Sequence, residues 1–302
     1  MGKTILITGS EGQLGKEIQL LSEQHLFSEF NFIFTDIISS GSKTKLLDIT
    51  NPEAIKYFFA AEKIEYIINC AAYTAVDKAE EEKEKASLIN ATAPSLLAEF
   101  AKLFKAKIIH LSTDYVYDGT NYCPYKETDL VNPQSCYGKT KLSGEEAVSK
   151  ACSDSIIIRT SWLYSAFGNN FIKTILKYGK EKGLLKVVFD QIGTPTYAKD
   201  LATTILHIIS ETDKDKNKFI PGIYHFSNEG VCSWYDFAKT IIKLSGISCA
   251  IFPIETKDYL LPAKRPAYSV LNKEKIKKTF NFEIPYWQDG VEDCIKRLEE
   301  NK

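Results

Sequence analysis

Short runs of β-branched and aliphatic residues recur along the first half of the chain. Between them lie longer stretches whose apolar positions return every three or four residues. The runs are KTILIT (3–8), NFIFTD (31–36), EYIINC (65–70), KIIHLS (107–112) and SIIIRT (155–160). They are apolar on both faces, as strands covered by helices on each side must be. The intervening periodicity predicts helices near 13–24, 52–62, 78–104 and 136–151. Strand and helix in alternation predict an α/β fold, a doubly wound parallel sheet with crossover helices. Beyond about residue 160 the rhythm loosens, and prolines at 195, 221, 253, 262, 266 and 285 separate shorter elements such as 233–246. We therefore expect a nucleotide-binding domain over 1–165, with some later segments returning to it. Residues 166–302 are expected to form mainly a smaller, interleaved substrate-binding lobe.

Composition narrows the partners. The 302 residues are enough for one large domain or two unequal ones, and the formal net charge is −1 with basic residues scattered. No basic stripe marks a nucleic-acid or membrane-surface partner, which leaves a small molecule. The seven cysteines are odd in number and contain no CxxC pair, which argues against a disulfide framework and a common zinc site. The N-terminal apolar run is too brief for a signal peptide, and no stretch approaches the ~20 apolar residues of a membrane span. A cytoplasmic location follows as the expectation.

Chemistry enters where the expected strands end. After the first comes TGSEGQLGKE, with Gly9, Gly12 and Gly15 spaced GxxGxxG. Such glycines permit a tight strand-to-helix turn, backbone approach to a pyrophosphate and close helix packing, the device of a Rossmann nucleotide site. Asp36 closes the second run, about where a carboxylate accepts from the adenine-ribose hydroxyls of NAD and repels the extra phosphate of NADP. Lys43 and Lys45 follow closely and leave NADPH open. Asp48 and Ile49 precede a proline-initiated helix and either border the adenine or serve a turn. Ala71 and Ala72 follow the third run, small enough for a cofactor to lie against the backbone or simply loop residues. The fourth run delivers Ser112, Thr113 and Asp114 to the sheet edge, where hydroxyls bind substrate carbonyls or local backbone. Tyr137 and Lys141, four apart in SCYGKTKLSGE, share a helical face. A nearby ammonium stabilises a phenolate, so we expect the pair to bring the tyrosine toward the working pH range of an acid–base catalyst.

In order and spacing these features resemble the extended short-chain dehydrogenase/reductase superfamily over about the first 165 residues. Within it the chain is similar, nearly end to end, to the dTDP-4-dehydrorhamnose reductase family. The stretches that carry this include NCAAYTAVDKAE, INATAP, HLSTDYVYDG, YGKTKLSGE, IRTSWLY, GNNF, DQIGTPT, GIYHFSNEG and AKRPAYSVLN. The resemblance implies reduction of a 4-keto dTDP-sugar to dTDP-L-rhamnose for bacterial surface polysaccharide, with NADPH or NADH as cofactor. It implies Tyr137 as proton donor, Thr113 as the group orienting the carbonyl oxygen, and Lys141 as the ribose contact. Cofactor contacts carried over are Gln13, Leu14, Gly15, Asp36, Asp48, Ile49, Ala72, Tyr73 and Thr74, besides Tyr137 and Lys141, and they join Gly9, Gly12 and Ala71 from the motifs themselves. Substrate contacts carried over are Thr113, Asp114, Trp162, Asn170 and Arg265, the last as a cation for the diphosphate. Some relatives bind Mg2+ through glutamates at a homodimer interface. Glu17 stands at one such position, on what reads as a solvated helix surface, so metal is left unresolved and a homodimer open.

Rival readings share the motifs. Related dehydratases place an acid after the threonine and aspartate, where this chain has Tyr115. An epimerase keeps both the glycine turn and YxxxK, but the C-terminal stretches favour the reductase. A nonenzymatic nucleotide-binding subunit of the same fold has no need to keep Tyr137, Lys141 and Thr113 together.

Overall fold

The computed structural model describes residues 2–38, 41 and 43–300. Seven strands form its central sheet: β1 (Thr4–Thr8), β2 (Asn31–Asp36), β3 (Thr44–Leu46), β4 (Tyr66–Asn69), β5 (Lys107–Thr113), β6 (Ser155–Thr160) and β7 (Gly222–Phe226). All neighbours pair in parallel, in the order β7-β6-β5-β4-β1-β2-β3. The order reverses between β1 and β4, the switch point at which ligands bind in such sheets.

The helices used below are α1 (Gln13–Ser22), α2 (Pro52–Ala61), α3 (Ala93–Phe104), α4 (Cys136–Ala151), α5 (Phe171–Lys182), α6 (Ala198–Lys214), α7 (Trp234–Ser245) and α8 (Trp287–Glu300). Alternate strand residues serve opposite layers. Ile5, Ile7, Ile68 and Ile109 pack with Ile18 of α1 and with Leu201 and Ile205 of α6. Leu6, Ile67 and Ile108 pack with Phe59 of α2, Leu97 of α3 and Val148 of α4. Each fully buried aliphatic side chain contributes about 1.5–3 kcal/mol, so two such layers over one sheet supply most of the driving force. A separate core cluster is built on Ile172, Phe237, Ile241, Trp287 and Val291 from α5, α7 and α8. It also carries a parallel two-stranded ribbon, Leu184–Val188 with Ala250–Ile254.

The expected strands all form, with ends shifted by a residue or so. The expected helix at 78–104 instead splits into a turn at Lys78–Glu80, a helix at Lys83–Ser87, a π turn at Leu88–Thr92 and α3. The π turn carries Asn90, whose buried amide accepts from Tyr73 N at 2.8 Å and donates to Tyr73 O at 3.1 Å and to Thr140 Oγ1 at 3.2 Å. Those bonds reward a local departure from α geometry, as π turns at functional edges commonly do. Strands β3 and β7 were not foreseen from the pattern of the chain. The three-residue β3 is too short to show a period, while β7 crosses from the later half of the chain to pair with β6.

Candidate active site

Because every strand of the sheet runs the same way, the carboxyl ends of β1, β2, β4, β5 and β6 share one edge. Gly9 leaves β1 with φ +65°, and a Cβ there would stand 2.6 Å from Ala71 N at the exit of β4. The glycine turn thus lies against the small residues that follow β4, which explains why both need minimal side chains. At Gly15 an added Cβ would meet Ser10 Cα at 2.4 Å, so the first turn of α1 sits directly on the loop before it. Gly12 caps α1 without any side-chain hydrogen bond. A helix N-terminus of this kind favours an anion.

Asp36 ends β2 beside that turn, and its Oδ2 accepts from Glu11 N at 3.0 Å. Lys43 and Lys45 pair with Glu23 and Glu62. Asp48 is exposed and closes a turn by accepting from Thr50 N at 2.9 Å and Thr50 Oγ1 at 2.7 Å. The side chains of Ile49 and Leu14 are both 4 % exposed and belong to the two core layers, so only their backbone is available to a ligand. Ala71, Ala72 and Tyr73 are half-buried and Thr74 is exposed along the same edge. Gln13 reaches Leu163 O at 3.4 Å, and its Oε1 accepts from Asn170 Nδ2 at 2.9 Å. Asn170 is fully used as a local tether: it caps α5 by accepting from Lys173 N at 3.1 Å and donates to Ser165 O at 2.7 Å.

The chemical cluster lies between β5 and α4. Ser135 caps α4 through Gly138 N at 3.1 Å, which starts the helix so that Tyr137 and Lys141 face the sheet edge. The Thr113 hydroxyl sits beside the Tyr137 phenol and pulls its pKa down by bonding to the charged form, but burial prevails and raises the phenol to about 12. This corrects the sequence-based expectation of a lowered phenol. The loss of water around Tyr137 is the largest influence on it, and the nearby charge of Asp114 adds to the rise, while the Lys141 ammonium donates to Leu111 O at 2.5 Å. Burial in turn lowers Lys141 to about 8, with Glu145 holding it up. Thr113 donates to Asp114 Oδ1 at 3.0 Å. The other oxygen of Asp114 is buried without a partner, and burial raises this carboxyl to about 6. The Ser269 hydroxyl lies beside it and pulls the other way without closing a well-formed hydrogen bond.

Tyr115 packs edge-on to Tyr137 with ring centroids 5.6 Å apart. Arg265 adjoins Tyr115 and grips Asp77 through both guanidinium nitrogens, one contact being 2.6 Å. Trp162 holds φ +49°, rare for a bulky residue, and stacks on Trp234 at 3.6 Å against Gly193. Strain of this sort persists where the surroundings over-determine it and concentrates at functional sites.

Glu17 overturns the expectation of a solvated surface residue. It is 1 % exposed, accepts from Ser165 Oγ at 2.6 Å and pairs with Arg297 of α8 at 3.0 Å. Among the described residues no group of three or more His, Cys, Asp or Glu could hold a metal ion. Residue types alone did not disclose Asn90, His110, Asp77 or the Glu145–Arg159 pair. The one signal present was spacing, since Glu145 follows Lys141 by four.

A parallel sheet with a glycine turn at its switch point, and a threonine, tyrosine and lysine gathered over its edge, define a nucleotide-dependent oxidoreductase of the short-chain dehydrogenase/reductase type. Comparison with known proteins narrows the class. A family model described as the RmlD substrate binding domain matches residues 3–300. The dTDP-4-dehydrorhamnose reductase of Salmonella typhimurium is 39% identical over 300 residues, covering 97% of each chain. The crystal structure of a dTDP-4-dehydrorhamnose reductase from Clostridium acetobutylicum superposes with TM-score 0.90 at 44% identity, covering 98% of this chain and 99% of that one. A second, from Bacillus anthracis in complex with NADP, gives TM-score 0.89 at 36% identity over 98% of this chain and 100% of its own. The chain belongs to the RmlD family, that of the dTDP-4-dehydrorhamnose reductases.

Proposed function

We propose that the protein reduces the 4-keto group of dTDP-4-dehydro-L-rhamnose, making dTDP-L-rhamnose for bacterial surface polysaccharide. The observation that carries this reading is the meeting of Thr113, Tyr137 and Lys141 at the carboxyl edge of the sheet, beside the glycine turn. The residues of the edge suit a reduced nicotinamide nucleotide. An α1 N-terminus without a side-chain cap suits the diphosphate, Asp36 stands where a ribose belongs, and Ala71 and Ala72 leave room for the rings. Such a group, when bound, supplies a hydride to the carbonyl carbon.

The chain's own residues do the rest. Tyr137 holds its proton firmly at neutral pH and is therefore in the form a general acid needs. Thr113 presents a hydroxyl to the same carbonyl oxygen, and Lys141 directs its ammonium to the ribose hydroxyls. Asp114, with an unpartnered oxygen, accepts from a sugar hydroxyl. Trp162 supplies an apolar wall, and the Arg265 guanidinium, held by Asp77, is the cation for the diphosphate. The relative with NADP bound supports NADPH as a substrate, and Asp36 favours NADH. No helix among the described residues is long and apolar enough to cross a membrane. We place the enzyme in the cytoplasm, working on a soluble sugar nucleotide.

The test is direct. Purified protein is mixed with dTDP-4-dehydro-L-rhamnose and NADPH or NADH, the absorbance of reduced nicotinamide is followed, and the sugar product is analysed. Consumption of both with formation of dTDP-L-rhamnose is expected. Nucleotide binding without turnover would instead indicate a nonenzymatic subunit, and epimerised keto sugar an epimerase.

A further inference from the structure

The helix that carries Tyr137 and Lys141 buries a third ionisable residue one turn on. Glu145, Lys141 and Arg159 are each 2 % exposed. The Glu145 carboxylate is clamped from the sheet: Arg159 Nε reaches Oε1 at 2.9 Å, Arg159 Nη2 reaches Oε2 at 2.6 Å, and the Ser112 hydroxyl donates to Oε1. Ser112 and Arg159 are register partners on β5 and β6, so two adjacent strands hold the carboxylate under α4. The clamp is itself anchored, because Arg159 Nη1 donates to Tyr117 Oη at 2.7 Å, beside His225 Nε2 at 2.8 Å. A buried ion pair gives little net stability over apolar residues of the same volume. Three ionised groups in one dry helix–sheet interface therefore call for another reason.

We infer that Glu145 is a positioning residue for carbonyl reduction: held by Arg159 and Ser112, it is the counter-charge that keeps the Lys141 ammonium protonated and turned toward the cofactor ribose. The inference rests on the function proposed above. The groups around Lys141 leave Glu145 alone in this role among the described residues. On α4 the other neighbour is Tyr137, un-ionised at neutral pH. From β5 come the Leu111 carbonyl and His110. His110 is neutral: the Asn69 amide lies 3.0 Å from Nδ1 and donates to it, and burial keeps a second proton off. From β6 comes Arg159, which pairs with Glu145 itself. Burial already lowers Lys141 to about 8 against the pull of Glu145. Without the carboxylate nothing would offset burial at the ammonium, and its proton would leave at lower pH.

The test compares wild type, Glu145→Gln and the volume-conserving pair Glu145→Leu/Arg159→Met, with folding checked by circular dichroism. NADPH binding is titrated by fluorescence from about pH 6 to about pH 9, and kcat is measured over the same range. Loss of the counter-charge is expected to move the alkaline fall of kcat and of NADPH affinity down by about one pH unit or more. The low-pH limits should change less than about threefold, and Glu145→Asp should restore part of the shift. Two results would overturn the inference: folded variants with the wild-type pH profile, or loss of folding in both variants, which would make the pair purely structural. A wild type that binds no NADPH, or binds it without turnover, would instead refute the function proposed above, so the two failures read differently.

Discussion

Asp114 has a measurable cost to the unliganded protein. The side chain is 2 % exposed, one oxygen takes the Thr113 hydroxyl and the other has no partner. Burial, only partly offset by Ser269 and Thr113, lifts the carboxyl from 3.8 to about 6. At about 1.4 kcal/mol per unit of difference, the folded state loses on the order of 3 kcal/mol relative to the unfolded chain once both are ionised. The sign follows from proton counts. Between the two pKa values the folded protein binds more protons than the unfolded chain, so stability falls as pH rises from about 4 to about 6 and then levels. Asp114→Asn removes the charge, keeps an oxygen for Thr113 and offers an amide hydrogen to Ser269. Urea unfolding should find the variant equal to wild type near pH 4 and more stable by up to about 3 kcal/mol at pH 8. Its KM for the sugar nucleotide should rise by about 10-fold to 100-fold, the worth of a hydrogen bond to a charged group. A stability gain that does not vary with pH, or a less stable variant at pH 8, would refute the reasoning.

Three further perturbations address the rest of the edge. Tyr137→Phe removes the proton donor but keeps the ring contact with Tyr115. Turnover should fall by ~10²–10⁴-fold while NADPH affinity from fluorescence stays within about threefold, and near-normal turnover would remove the assigned role. Asp36→Ala should shift the NADPH-to-NADH ratio of kcat/KM toward NADPH; an unchanged ratio assigns the preference elsewhere. Gly15→Ala drives a Cβ to 2.4 Å from Ser10 Cα, a backbone atom that cannot move aside. The clash should cost about 1–3 kcal/mol, against which better helix propensity returns at most about 1 kcal/mol. Both Tm and NADPH affinity should therefore drop, and a raised Tm would show that the turn has slack.

What could be read in advance, and what could not, divides along the range of the interaction. The glycine turn, the strand ends and the start of α4 are set by neighbours within a few residues, and the Thr113, Tyr137 and Lys141 cluster follows once the sheet is parallel. Pairs that close over long distances left no local trace. Arg265 meets Asp77 across 188 positions and Glu17 meets Arg297 across 280, so a cation expected to be open to substrate is already oriented by an acid, and a glutamate expected in solvent is internal. The phenol is the instructive failure. Counting one ammonium four residues away predicts a lowered pKa, but the magnitude of burial is a property of the whole edge, and it outweighs the single neighbour. The same burial explains why Lys141 needs an anion of its own. A helix face read as tyrosine and lysine is physically tyrosine, lysine and glutamate, and the third member becomes visible only when β6 brings Arg159 beneath it.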